Sequence, residues 1–253
     1  RRNLIPDDAH PSQGPSGIKF EALSNHEALA HLDAMMNYAG LRAEQERLRK
    51  QGIYRGIGFA SFVEVTNPSA AFYGVGGARI SAQDGATVRL DSTGAIFCHT
   101  GVSEQGQGAE AVIAQCVASS FGVPIERVRV IMGDTDNTPY GGGTWASRAA
   151  GIGGEAAWQA GKALRQNVLA VAGSILQAKP ETLDINNGVV VDKAGGAERI
   201  GLDEVARIAY FRPDTLPAGV QAVGTVAEAV TTLYGGDPAD FVAVAEETGL
   251  VRD

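Results

Sequence analysis

Apolar residues recur every three to four positions along the stretch from residue 29 to residue 41, which is the spacing of a helix. Before it, residues 1–24 form a polar lead-in that contains three prolines. Ser24 or Asn25 is suited to cap the helix, and the charged run from Glu44 to Lys50 fits a solvated end. We therefore expect residues 1–50 to be a lead-in and one connecting helix.

From Ile53 the apolar period shortens to two, as is typical of strands. Asp84-Gly85 and Ser92-Thr93-Gly94 interrupt this pattern and predict hairpin turns, because glycine readily adopts the positive φ that such turns need. The predicted strands are residues 54–65, 77–82, 86–90 and 95–100. This part of the chain is therefore expected to form an antiparallel sheet segment.

Two later units repeat the order strand, Gly-rich turn and helix. In the first, a helix from Gly108 carries one apolar stripe and stops at Gly122-Val123-Pro124. In the second, the strand 128–132 leads through a Gly/Thr loop into a helix from near Ser147 to about Ala172. A strand at 188–192 and a helix at 202–210 follow. The pattern predicts an α+β fold with a mixed or antiparallel sheet packed with helices.

Composition excludes several classes of protein. The 253 residues are 44% hydrophobic, which suffices for a substantial core. Lys and Arg number 21 against 29 Asp and Glu, a net charge of −8 that disfavours binding to nucleic acid or anionic membranes. No apolar run approaches the length of a membrane span.

Cys98 and Cys116 lie outside any CxxC pattern and have no histidine at ligand spacing. They are expected to be buried thiols in a reduced compartment, which favours the cytoplasm. No apolar region follows Arg1-Arg2, so the sequence predicts neither a secretory nor a twin-arginine signal. Because the first residue is not Met, we expect a piece of a longer protein.

The candidate chemistry lies in the two Gly-rich turns. A helix start leaves backbone N–H groups unpaired and carries the positive end of the helix dipole, so two converging starts would form a cradle for an anion. Glycine also lets the backbone approach a bulky ligand. The glycines in question are Gly106, Gly108, Gly141, Gly142 and Gly143. The glycines of one turn taken alone could simply build a tight turn. The polar neighbours of both turns favour a ligand.

Neither turn matches the GxxxxGK[ST] pattern of a P-loop or the GxGxxG pattern of a dinucleotide fold. The second helix contains several internal glycines, each of which costs about 1 kcal/mol relative to alanine. Close packing against another backbone or against a flat ligand would offset that cost. The sequence leaves both explanations open.

Two segments of the sequence together resemble a known family. Gly101-Val102-Ser103-Glu104-Gln105-Gly106-Gln107-Gly108 is followed by Gly133-Asp134-Thr135-Asp136-Asn137-Thr138-Pro139-Tyr140-Gly141-Gly142-Gly143-Thr144-Trp145-Ala146-Ser147-Arg148. This pair resembles the cofactor-binding core of the xanthine dehydrogenase/aldehyde oxidase family of molybdenum hydroxylases. The similarity is closest to the large subunit of carbon monoxide dehydrogenase and related bacterial enzymes. Arg1-Arg2-Asn3-Leu4-Ile5 and Gly56-Ile57-Gly58-Phe59 resemble further segments in the same order.

The resemblance implies a molybdopterin-binding domain and a molybdopterin cofactor, in bacteria usually the cytosine dinucleotide form, with molybdenum held by the pterin. It implies an oxidoreductase that hydroxylates an aldehyde, an N-heterocycle or a similar small substrate with oxygen from water. Electrons would pass to iron–sulfur and FAD subunits or domains, and the full-length subunit would be an oligomer. The cofactor-binding residues implied are Gln105, Gly106, Gln107 and Gly108 near the pterin or its pyrophosphate, and Thr144, Ala146, Ser147 and Arg148 along the dinucleotide.

The resemblance also has departures. The family's general base is a Glu near the C-terminus of a much longer subunit, and this chain stops before that region. Gly153-Gly154-Glu155 imitates its motif, but it falls on a predicted helix, so no catalytic residue is assigned. We therefore expect residues 51–221 to be a partial cofactor domain, residues 222–253 a divergent tail, and the chain an enzyme fragment. The alternative is a non-catalytic cofactor-binding or subunit-assembly module.

Overall fold

A computed structural model describes residues 2–15, 17–67, 83–218, 220 and 227–229. The chain divides into two compact units, one of residues 1–64 with 75–78 and one of residues 65–74 with 79–253. Residues 51–64 therefore belong to the first unit. The predicted strand 77–82 and most of the predicted tail lie outside the described residues.

In its described residues, the first unit contains two α-helices where the sequence predicts one. Two antiparallel strands of two residues each, β1 (Ser12–Gln13) and β2 (Lys19–Phe20), precede α1 (Asn25–Met36) and α2 (Tyr38–Arg49). The single helix is wrong because Asn37 adopts a left-handed conformation with φ of 49°. Its side chain accepts a hydrogen bond from the Gly40 N–H at 3.3 Å and so caps α2.

The strand predicted at residues 54–65 is also wrong, because this segment does not pair with any described strand. Arg55 and Phe59, in the first part of this segment, contact α2 instead. Gln45 Nε2 donates to the Arg55 carbonyl at 2.7 Å, and Arg55 Nη1 donates to Glu44 Oε2 at 2.6 Å. The rings of Tyr38 and Phe59 meet edge to face at 5.5 Å. Alternating apolar residues alone do not make a strand, because a strand also requires a partner.

In its described residues, the second unit contains two sheets and three α-helices. Its elements are β3 (Ala86–Leu90), β4 (Ile96–Thr100), α3 (Ala109–Phe121), β5 (Val128–Ile131), α4 (Gly154–Leu176), β6 (Leu183–Asn186), β7 (Val189–Asp192), β8 (Glu198–Gly201), α5 (Leu202–Phe211) and β9 (Ala227–Ala229). The first sheet has the order β5-β4-β3-β9, and the second has the order β6-β7-β8. Five residues, Ala149–Gly153, form a π-helical turn before α4.

Pairing in the first sheet is mixed. The β3–β4 hairpin is antiparallel with Ala86 opposite Thr100, as predicted, and β9 adds to the other side of β3. The β4–β5 pair is parallel because α3 carries the chain back to the same end of the sheet. The predicted α+β class with a mixed sheet is confirmed, whereas the short strand β6 has no counterpart in the sequence analysis.

The core lies where α3 and α4 cover the first sheet. Alternate residues of β3 and β4, among them Val88, Leu90, Ile96 and Cys98, are fully buried. Burial raises the pKa of the Cys98 thiol to about 12, so this cysteine is an inert core residue, as predicted. Cys116 on α3 is half-buried. The remaining large core residues include Ile113, Val117 and Phe121 on α3 and Leu164, Val168 and Val171 on α4.

Gly122, which ends α3, offers a first test of this packing. Its φ is 99°, and a Cβ there would lie 3.1 Å from the Ile185 carbonyl carbon and closer still to its oxygen. Gly196 has a φ of 68°, but no described atom lies within 4 Å of the corresponding position. Gly196→Ala should therefore lower the free energy of unfolding by about 1–2 kcal/mol through its backbone alone. Gly122→Ala should cost clearly more, as urea unfolding of both variants would show. Equal losses would contradict this packing.

Candidate functional site

The first Gly-rich turn, residues 101–108, is organised by the side chain of Glu104. Its Oε1 accepts hydrogen bonds from the backbone N–H groups of Gln105, Gly106 and Gly108 at 3.1, 2.7 and 3.0 Å, and its Oε2 accepts one from Glu110 at 3.1 Å. These bonds, led by that of Glu110, lower the pKa of the Glu104 carboxyl.

This cap corrects one expectation. The N–H groups at the start of α3 were expected to be unpaired and ready for an anion. Instead, an internal carboxylate already bonds them, and it meets the positive end of the helix dipole. An external phosphate could use the same groups only by displacing Glu104.

Glycines in both turns leave room for a ligand. Gly106 and Gly108 have φ values of 97° and 83°, and Gly143 in the second turn, residues 141–148, has a φ of 76°. At all three, no described atom lies within 4 Å of the position that a Cβ would take. The backbone is therefore accessible at these points in the way the sequence predicts, and side chains there would obstruct a flat or bulky ligand.

The second turn contains a strained reversal. Ala146 and Ser147 have φ values of 47° and 51°, and the Arg148 N–H bonds to the Trp145 carbonyl at 3.2 Å, as in a type I′ turn. The Trp145 indole Nε1 donates to the Gly142 carbonyl at 2.8 Å. Two consecutive left-handed residues other than glycine or asparagine are costly, and such strain clusters at ligand sites.

The strain at Ala146 can be measured. Ala146→Gly should raise the free energy of unfolding by about 1 kcal/mol, because glycine adopts this φ without penalty. The matched control is Ala150→Gly, in the π-helical turn, where glycine should lower stability by about the same amount. Thermal unfolding of the two variants would show opposite shifts. A loss of stability in both would mean that Ala146 is unstrained.

Thr144 joins the two turns. Its Oγ1 accepts a hydrogen bond from the Ser103 N–H at 2.8 Å and donates one to the Ser103 carbonyl at 2.7 Å. Gln105 Nε2 donates to the Thr144 carbonyl at 2.9 Å. The predicted convergence of the two turns is therefore present, and a side chain expected to face the ligand serves to connect them.

Beneath the turns lies a buried ion pair. The side chains of Arg148 and Asp84 are fully buried, with Arg148 Nη1 at 3.3 Å from Asp84 Oδ2. Arg148 Nη1 also donates to the Gly143 carbonyl at 2.7 Å, and Nη2 donates to the Gln83 carbonyl at 2.6 Å. Burial raises the pKa of Asp84 from 3.8 to about 6, although Arg148 and the Gly85 N–H act in the opposite direction.

The glycine-rich start of α4 contacts protein. Asn67 packs directly on Gly151, a Cβ on Gly153 would lie 2.6 Å from Val102 Cγ1, and Ser120 fills the corresponding position at Gly161. Close packing therefore accounts for these three positions. Glu155, at the start of α4, is half-buried and accepts a hydrogen bond from Gln159 Nε2 at 2.7 Å.

The proposed ligand contacts now separate into two groups. Gly106, Gly108 and the exposed Ser147 lie at the surface of the joined turns, as does Gln107, whose Oε1 accepts from the Gln105 N–H at 2.7 Å. Thr144 and Arg148 bond to the protein itself.

Sequence reasoning missed Asp84 and Glu104. Asp84 had been interpreted as a hairpin turn, and its only signal, a carboxylate beside a glycine, is common in turns.

Neither a cluster of metal-ligating side chains nor a membrane-spanning helix occurs in the described ranges. No group of three or more His, Cys, Asp or Glu residues there is placed to hold a metal ion. Every helix within these ranges is too short or too polar to cross a membrane. The three accessible glycines of the joined turns fit the approach of a cofactor to the backbone.

Comparison with known proteins identifies the family of this chain. The family described as "Molybdopterin cofactor-binding domain" matches residues 31–248, which include part of the predicted tail. The nicotine 6-hydroxylase large subunit of Paenarthrobacter nicotinovorans is 33% identical over 87% of this chain and 27% of its own length. The carbon monoxide dehydrogenase large chain of Hydrogenophaga pseudoflava is 28% identical over 87% of this chain and 27% of its own length.

Solved structures give the same result. The crystal structure of quinoline 2-oxidoreductase from Pseudomonas putida 86 superposes with a TM-score of 0.62 at 33% identity, over 93% of this chain and 29% of that one. The structure of the Cu,Mo-CO dehydrogenase in its carbon monoxide reduced state gives 0.55 at 26% identity, over 92% of this chain and 29% of that one. This chain spans somewhat over a quarter of the curated relatives it matches. The chain therefore belongs to the molybdopterin cofactor-binding domain family of molybdenum hydroxylases of the xanthine dehydrogenase/aldehyde oxidase type.

Proposed function

We propose that the joined turns of this chain hold molybdopterin in its cytosine dinucleotide form. The observation that carries the proposal is the accessible backbone at Gly106, Gly108 and Gly143, which lie in two turns connected by Thr144. The strained Ala146-Ser147 reversal beside these glycines supports the proposal, because backbone strain of this kind clusters at ligand sites.

The residues have distinct roles in this proposal. Gln107 offers its side-chain amino group and Ser147 its hydroxyl, both of which can bond to phosphate or heterocycle edges. The backbone at Gly106, Gly108 and Ala146 lies beside the ligand. Gln105, Thr144 and Arg148 act by holding the turns in place. When bound, the cofactor supplies the molybdenum centre at which a carbon atom is hydroxylated with oxygen from water.

The activity proposed for the whole protein follows from family membership. We propose an oxidoreductase that hydroxylates an aldehyde, an N-heterocycle or a similar small substrate and passes electrons to iron–sulfur and FAD partners in the cytoplasm. We further propose that the full-length subunit is an oligomer. Nicotine 6-hydroxylase and quinoline 2-oxidoreductase, as their names state, act on N-heterocycles, which supports that substrate class.

The direct test is to purify the chain from a host that makes the cofactor and to measure bound molybdenum, pterin and the cytosine nucleotide released by acid. All three should be present in equal amounts. Gln107→Ala should lower the retained amount, because it removes an exposed ligand contact. If the chain retains no pterin, or if Gln107→Ala retains as much as wild type, the turns do not hold the cofactor and the alternative of a subunit-assembly module is favoured.

Glu104→Ala provides a further prediction about the anion. We expect this variant to retain less cofactor, because four N–H bonds that shape the turn disappear. The measurement is the pterin content after dialysis, with Glu110→Ala as a control that leaves these carboxylate bonds in place. Higher retention in Glu104→Ala would show that the cofactor phosphate competes for the start of α3.

A further inference from the structure

Arg148 is the largest fully buried side chain among the described residues. A buried guanidinium is stable only when its donors are bonded and its charge is balanced. Here one fork contacts three separate points: the Asp84 carboxylate, the Gly143 carbonyl in the second turn and the Gln83 carbonyl before β3. The guanidinium carbon also lies 5.7 Å from the centre of the Trp145 ring.

Asp84 occupies the junction between the two turns. A Cβ on Gly101 would lie 2.5 Å from Asp84 Oδ1 and 2.9 Å from the Gly141 Cα, and a Cβ on Gly141 would contact the same carboxylate. The backbone around it is bonded as well, since Gly101 N–H donates to the Gly85 carbonyl and Gly142 N–H to the Gln83 carbonyl, both at 3.1 Å. The carboxylate thus packs against the first residues of both turns, which also contact each other.

We propose that Asp84 and Arg148 are positioning residues, which set the separation of the two turns and the conformation of the Gly143–Trp145 backbone that faces the cofactor. The role toward the cofactor rests on the proposed function, whereas the role in positioning the turns rests on the buried ion pair itself. The pair contacts the second turn through Arg148 and both turns through Asp84. Its effect on the ligand therefore passes through the backbone.

The shape of the guanidinium is what this role requires. Its planar fork bonds to the Gly143 and Gln83 carbonyls at once, and an ammonium group on a lysine cannot reproduce both bonds together with the pairing to Asp84. Arg148→Lys keeps the charge but removes the fork, and Asp84→Asn keeps the shape but removes the charge. These two variants therefore distinguish the positioning of the turns by the guanidinium from a simple balance of buried charges.

The chain contains a matched control. Arg165 also bonds a carboxylate, that of Asp184, and two backbone carbonyls, those of Phe121 and Ile185. It joins α4 to α3 and β6, away from the two turns. Arg165→Lys should therefore weaken the fold without moving the turns.

The test uses a Trp158→Phe background, in which Trp145 is the only tryptophan. Cofactor retention and Trp145 emission are measured in Arg148→Lys, Asp84→Asn and Arg165→Lys, at a temperature where each keeps the wild-type circular dichroism. Retention should fall about tenfold to a hundredfold in the first two variants, the range known for residues that support a metal site. Their Trp145 emission should shift even without cofactor. Arg165→Lys should change neither.

Each outcome decides between roles. If Arg148→Lys and Asp84→Asn keep both the wild-type emission and the retention of Arg165→Lys, the pair only stabilises the fold and the proposal is overturned. A shifted emission with no cofactor in any variant, wild type included, would instead refute the proposed function and leave the control of the second turn standing. If Asp84→Asn does not fold, the conservative Arg148→Lys still decides.

Discussion

Replacement of Arg148 by methionine should lower the free energy of unfolding by about 3–5 kcal/mol at pH 7.5, because Asp84 would remain buried without its cation. Methionine fills much of the volume, so the loss reports the unpaired charge more than a cavity. Urea unfolding monitored by circular dichroism gives the value.

The loss should depend on pH in a direction that Asp84 determines. Its pKa is about 6 in the folded protein against 3.8 ordinarily, so between these values the folded chain binds more protons than the unfolded one. The contribution of Asp84 to stability is therefore fully present below about pH 3.8 and is lost as the pH rises through 6. Removing Arg148 raises this pKa further, so the deficit of the variant should be largest above pH 7 and smaller at pH 5.

A double variant checks the cause. Asp84→Asn combined with Arg148→Met removes both charges and should recover most of the stability that Arg148→Met loses. If the double variant is no more stable than the single one, then the loss comes from the broken bonds to the Gly143 and Gln83 carbonyls and not from the unpaired carboxylate.

Two glycine variants of the second turn should distinguish a glycine needed for packing within the protein from a glycine that the ligand approaches. Gly141→Ala places a methyl group against the Asp84 carboxylate and 3.1 Å from the Gly101 Cα, so it should lower both stability, by about 3 kcal/mol or more, and cofactor retention. Gly143→Ala meets no described atom within 4 Å. It should cost about 1–2 kcal/mol through its positive φ. It should nevertheless reduce cofactor retention strongly.

The measurements are unfolding in urea and pterin content after dialysis, for both variants in parallel. The informative quantity is the ratio of cofactor loss to stability loss, which should be larger for Gly143→Ala. A Gly143→Ala variant that retains the wild-type amount of pterin would show that the ligand does not approach the backbone at that glycine.

Elements controlled by local sequence were predictable. The β3–β4 hairpin follows from alternating residues around Ser92-Thr93-Gly94, and α3 follows from its apolar stripe between Gly108 and Gly122. The family motifs likewise identified the turns that converge. In each of these cases the signal and the structure lie within a few residues of each other, so tertiary context had little to change.

Features that depend on distant partners were not predictable. The pairing of Asp84 with Arg148 spans 64 positions, and nothing near Asp84 distinguishes a buried carboxylate from a turn residue. Residues 54–65 alternate as a strand does, but Arg55 and Phe59 contact α2 instead. The cap at Glu104 was easier to predict than the ion pair, because a carboxylate just before a helix commonly accepts hydrogen bonds from the first N–H groups of that helix.

The central claim is that the two joined turns together hold the cofactor, and amide hydrogen exchange tests it most directly. Exchange of peptides covering residues 101–110 and 141–148 is compared in the purified chain with and without bound molybdopterin. We predict that both peptides become more protected together when the cofactor is bound, and that the hairpin of β6 and β7 is unchanged. Cofactor binding that protects neither turn, or only one of them, would contradict the account.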